Sequence, residues 1–101
     1  MDDNKYLDVL YAINQALINK IDNDILNISF SMQEEKIEVM VFLIENLNKK
    51  SLELIEEFKM SLIEKLSKLT FIFSQFELTK EQFNNYQFTI LKYCVFEKAL
   101  A

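Results

Sequence analysis

Neither glycine nor proline occurs anywhere in the 101 residues, so the two residues that most often punctuate a chain are missing from this one. Breaks between elements must come instead from clusters of Asn, Asp, Ser and Lys, whose polar side chains compete with regular backbone pairing. Four such clusters occur, at Asn19 to Asp24, Gln33 to Lys36, Asn46 to Lys50 and Thr79 to Asn85. They cut the chain into segments of distinct hydrophobic period.

In the first segment Tyr6, Val9, Leu10, Ile13, Leu17 and Ile21 recur at three- and four-residue spacings, which predicts an amphipathic helix; Asp2 and Asp3 suit its positive end. After Asp24 the period becomes two, with Leu26, Ile28, Phe30 and Met32 alternating with Asn27, Ser29, Ser31 and Gln33. If Glu34 and Glu35 make the turn, Met32 faces Ile37, Phe30 faces Val39 and Ile28 faces Val41, so a hairpin gains one wholly apolar side. The opposite side mixes Ser29, Ser31, Lys36 and Glu38 with Met40 and Phe42, the pattern of a partly covered sheet face. Helical spacing returns over Ser51 to Leu69, with Leu52, Ile55, Leu62, Leu66 and Leu69 in one stripe, widened by Leu54 and Phe58. Thr70 to Leu78 reads as a third strand. Thr79-Lys80-Glu81-Gln82 is a capping-box pattern, and Phe83, Tyr86, Ile90 and Cys94 fit helical spacing, but Tyr86 to Phe96 is also rich in aromatic and β-branched residues; the expectation is a short helical turn or loop over Thr79 to Asn85 and then a fourth strand over Tyr86 to Phe96. The expected fold is α+β in the order αββαββ, a single domain over 1–101, with two helices on one face of a four-stranded antiparallel sheet.

With 50% hydrophobic and 27% charged residues the chain has the balance of a globular domain. The missing residue types narrow its chemistry. Without His there is no side chain whose ordinary pKa lies near neutrality, and without Gly no phosphate-cradling loop of the usual kind. Without Arg there is no bidentate clamp for carboxylate or phosphate, and one cysteine, Cys94, makes neither an internal disulfide nor a thiolate cage. Asp22-Asn23-Asp24 lacks the turn glycine of a calcium loop and has Gln33 at its twelfth position. Carboxylate catalysis needs a pocket that perturbs a pKa, and so short a chain has little material to build one. The expectation is a protein that is not an enzyme and takes no cofactor or metal. Cys94, inside an apolar aromatic run, is expected to be a buried structural thiol.

The net charge of -5 repels nucleic acid and anionic membranes, so a basic protein is the natural partner. No signal peptide or membrane-length apolar run is evident, and a cytoplasmic location is expected. Charge is uneven along the chain: through Glu57 there are 12 acids and five lysines, and from Phe58 onward four acids and six lysines. Asp22, Asp24, Glu34, Glu35, Glu38, Glu53, Glu56 and Glu57 are therefore the candidates for one acidic binding surface, with Met40 and Phe42 as its apolar anchors. Taken singly, each of these acids also has an ordinary reading as a solvating charge.

The stretch from about Ala12 to Leu100 resembles a family of small bacterial immunity proteins, including those of contact-dependent growth inhibition systems. The residues that carry the likeness are Ala16 to Ile21 leading into Asn27-Ile28-Ser29-Phe30-Ser31, the acidic turn, Ile37 to Leu43, the Glu-rich second helix and the closing Tyr86 to Lys98. Where such families often carry a turn glycine after the second strand, this chain has Asn46-Leu47-Asn48. The resemblance implies binding and neutralising a cognate toxin domain, commonly a nuclease. Two other readings fit the same acidity and the open sheet face: a phage- or plasmid-encoded inhibitor that imitates nucleic acid, and a structural homodimer.

Overall fold

The computed structural model describes residues 3–18, 24–46 and 48–98, with side chains from Tyr6 onward. The elements run α1 (Asp3–Leu17), β1 (Ile25–Gln33), β2 (Lys36–Ile44), α2 (Lys49–Lys65), β3 (Thr70–Leu78), α3 (Lys80–Asn84) and β4 (Tyr93–Glu97). This is an α+β fold with four strands in the spatial order β3-β2-β1-β4.

The β1–β2 hairpin has the register its apolar alternation demands, with Met32 opposite Ile37, Phe30 opposite Val39 and Ile28 opposite Val41. Any one-residue slip would carry this entire set to the other face. Glu34 closes the turn with φ of 53°, a left-handed conformation that glycine usually supplies. Asn46 (φ 60°) does the same after β2, and Tyr86 (φ 54°) after α3.

β3 has the expected bounds but not the expected direction. It runs parallel to β2, from Lys36 opposite Thr70 to Ile44 opposite Leu78, so the sheet is mixed instead of wholly antiparallel. The cause is the link between them: strands joined by a long helical crossover enter the sheet in the same direction, whereas an antiparallel neighbour needs only a tight turn. β4 returns antiparallel to β1, with a register shift between Ile28 and Ser29.

α1 and α2 pack together on one face of the sheet. There Val9, Ile13 and Leu17 of α1 and Ile55, Phe58 and Leu62 of α2 meet Ile28, Phe30, Ile37, Val39, Val41 and Leu43 in the main core. Tyr6, Phe30 and Tyr93 cluster with ring centroids 4.7–5.9 Å apart and tie α1 and β4 to β1. Ile21 lies outside the described residues, and Leu52, expected in the buried stripe of α2, is exposed.

A second, smaller core of Leu26, Phe42, Leu78 and Phe83 forms on the other face. It exists because α3 folds back over that face. Thr79 caps α3 through the expected capping box: its hydroxyl accepts from the Gln82 N–H at 3.0 Å, while the Gln82 side chain accepts from the Thr79 N–H at 2.9 Å. The helix ends in paired bonds from Gln87 N–H to the Gln82 carbonyl and from Tyr86 N–H to the Phe83 carbonyl. This is the closing motif that normally puts glycine where Tyr86 stands. The chain then crosses β1, donating the Leu91 N–H to the Ser29 hydroxyl at 3.0 Å, so the fourth strand begins only at Tyr93.

Candidate functional site

The orientation of α2 follows from its first turn. Asn48 is the N-cap and accepts from the Ser51 N–H at 2.8 Å. Asp24, at the entrance to β1, accepts from the Ser51 hydroxyl at 2.6 Å and from the Asn48 side-chain amide at 3.3 Å. A carboxylate is thereby held against the positive end of α2. With Ile55, Phe58 and Leu62 turned into the core, the opposite side of the helix faces water.

That outward side brings Glu53, Glu56 and Glu57 together, with Glu64 a further two turns on. Between them stand Met60, 56% exposed, and Ile63, 40% exposed. These residues and Ser61 line one shallow depression. The spacing explains the grouping: Met60 is four residues from Glu56 and Glu64, three from Glu57 and Ile63, and residues so spaced are neighbours on a helix surface. Lys59 points elsewhere, its ammonium 5.7 Å from the Phe73 ring centroid.

The remaining candidates do not join this surface. Glu34 and Glu35 are exposed at the hairpin turn, where with Met32, Gln33, Lys36 and Thr70 they line a separate depression. Glu38 is half-buried among Ser31, Gln33 and Lys36 on the sheet face that α2 does not cover. A single acidic face uniting Glu38 with Glu53, Glu56 and Glu57 is thus excluded by the sheet lying between them. Asp24 is occupied in holding α2. Asp22 lies outside the described residues.

The apolar anchors need correction as well. Phe42, 6% exposed, is a core residue, its ring tilted against those of Phe76 and Phe88 at centroid distances of 5.7 and 5.1 Å, and Met40 packs against the same cluster. An alternating strand reveals which residues share a face, but not what later comes to lie over it. Met60 and Ile63 are the exposed apolar residues among the acids, and sequence reading missed them. Their signal was position: both fall off the Ile55–Leu62 stripe and within one turn of a glutamate.

Cys94 is exposed, not buried, because β4 is an outer strand. Its sulfur lies 3.7 Å from the Asn27 side-chain nitrogen and 3.5 Å from the Phe96 carbonyl oxygen. Asn27 itself is fully buried, and its Oδ1 has no hydrogen-bond partner among the described residues. Among the described residues no group of three or more Cys, Asp or Glu is placed to hold a metal ion, and no helix is long and apolar enough to cross a membrane. The sequence matches no protein-family model and no curated protein.

Proposed function

We propose that this chain is a non-catalytic, cytoplasmic binding protein that neutralises a basic protein partner, as a toxin-immunity protein does, and that the outer side of α2 makes the contact. The observation that carries this reading is the exposed Met60–Ile63 pair surrounded by Glu53, Glu56, Glu57 and Glu64. Such a surface has the anatomy of an interface: a small apolar centre to be desolvated and a charged rim to steer a cation-rich partner. It sits on a helix whose ends and buried side are fixed, so little ordering is required on binding. The absence of His, Arg and Gly supports binding over catalysis.

The test is capture of the partner from the native host with the purified chain, followed by association kinetics. Reversing Glu53, Glu56 and Glu57 together to Lys is expected to slow association about tenfold or more at low salt and to flatten its salt dependence. Met60→Ala is expected to act on dissociation instead, weakening the complex by about 1–2 kcal/mol. Unchanged kinetics in both variants would remove α2 from the interface.

A further inference from the structure

We propose that β3 is a pairing edge for a second copy of this chain, and that two β3 strands join antiparallel about a two-fold axis at Ser74 to make a continuous eight-stranded sheet. The two edges of the sheet are unlike. β4 has five residues and a shifted register, with Lys92 and Lys98 at its ends, the usual devices that discourage edge pairing. β3 has nine residues in unbroken register with β2, and its sequence, Thr-Phe-Ile-Phe-Ser-Gln-Phe-Glu-Leu, contains no lysine, proline or bulge.

The backbone on this edge is self-complementary in one register. Thr70 donates its N–H to the Glu35 carbonyl, and the Leu78 carbonyl accepts from the Glu45 N–H. In a parallel ladder the same alternate residues make both bonds, so the even-numbered residues of β3 serve β2. Phe71, Phe73, Gln75 and Glu77 therefore point their N–H and C=O groups off the outer edge, which no described strand covers. An axis at Ser74 pairs Phe73 with Gln75 of the second copy and Phe71 with its Glu77, so every outward residue meets an outward residue. No like charges are opposed.

The side chains agree with the backbone. On the sheet face opposite α2, the same register sets Ile72 against Phe76 of the second copy on both sides of the axis. Ile72 is 37% and Phe76 49% exposed in the single chain. Cross-strand pairs of an aromatic with a β-branched residue are favourable, and this one removes both from water twice over. The partner is thus chosen by symmetry: a second β3 satisfies its own edge.

The proposal does not depend on the reading of α2, and its test uses the full chain. Sedimentation or light scattering across concentration should show a monomer–dimer equilibrium. Ser74→Lys, which sets two ammonium groups directly opposite each other, should weaken the dimer at least tenfold while the circular dichroism spectrum stays that of the wild type. In a Cys94→Ser background, mild oxidation should cross-link Ser74→Cys, because a non-hydrogen-bonded pair on the axis has Cα atoms about 4.5 Å apart. Ile72→Cys should fail to cross-link, since two copies of residue 72 lie roughly 13 Å apart in this register. A strictly monomeric wild type up to near-millimolar concentration would overturn the proposal. So would a dimer that Ser74→Lys leaves intact, or one that cross-links through residue 72 in preference to 74.

Discussion

Replacing Asp24 with alanine isolates the contact that anchors α2. Two parts of the loss can be worked from the structure. The bond from the Ser51 hydroxyl to the carboxylate is 2.6 Å long, and Ser51 is buried. A hydrogen bond to a charged group of this kind contributes about 1.5–3 kcal/mol, and losing it leaves a buried hydroxyl to find another partner. The carboxylate also stands at the positive end of α2, an effect of about 0.3–1 kcal/mol. Asp24→Ala should therefore destabilise the fold by about 2–3 kcal/mol, lowering Tm by roughly 10–20 °C for a chain of this size. Urea denaturation followed by circular dichroism gives the first number, and the midpoint should move at constant slope. Asp24→Asn keeps an oxygen for Ser51 but removes the charge, so it should lose only about half as much. A double-mutant cycle with Ser51→Ala should return a coupling of about 1 kcal/mol or more. If Asp24→Ala stays within about 0.5 kcal/mol of the wild type, the carboxylate is not an anchor for α2 and its place among the partner-binding acids reopens.

Two further perturbations separate core from surface. Phe42→Ala should cost about 3–5 kcal/mol by emptying the second core, whereas Met60→Ala should stay within about 0.5 kcal/mol; thermal melts of the pair that fail to separate would contradict the assignment of faces. Asn27→Leu removes a buried oxygen that has no partner among the described residues, and should leave the protein at least as stable as before. A loss of more than about 1 kcal/mol in chemical denaturation would mean that Oδ1 is satisfied after all.

The parts of the fold legible in sequence were those set by period. The hairpin register could be read from Ile28, Phe30, Met32, Ile37, Val39 and Val41 because only one pairing buries all six together. The bounds of β3 and the capping box at Thr79 were equally local. The direction of β3 was not legible in its own residues, since alternation reads the same from either end. The clue lay in what separates it from β2: a stretch of helical period as long as Lys49–Lys65 is the usual crossover of a parallel pair. The acidic site was only half legible for a related reason. Counting charge along the chain found Glu53, Glu56 and Glu57, but it grouped them with Glu38, which the sheet puts on the far side. Only the three-dimensional course of α3 decides that Phe42 is covered, and only the packing of Ile55, Phe58 and Leu62 decides that Met60 is not.

The sheet order has a consequence for synthesis. β1 lies inside the sheet, yet its two neighbours are made at very different times: β2 follows at once, while Glu97 of β4, paired with Asn27, comes 70 positions later. Until β4 docks, a β1–β2–β3 sheet carries two open edges, one of them the flank of β1 that β4 later closes. Where newly released chains are crowded, such edges meet, and the speed at which Tyr93–Glu97 docks then governs how many chains close on themselves before they close on a neighbour.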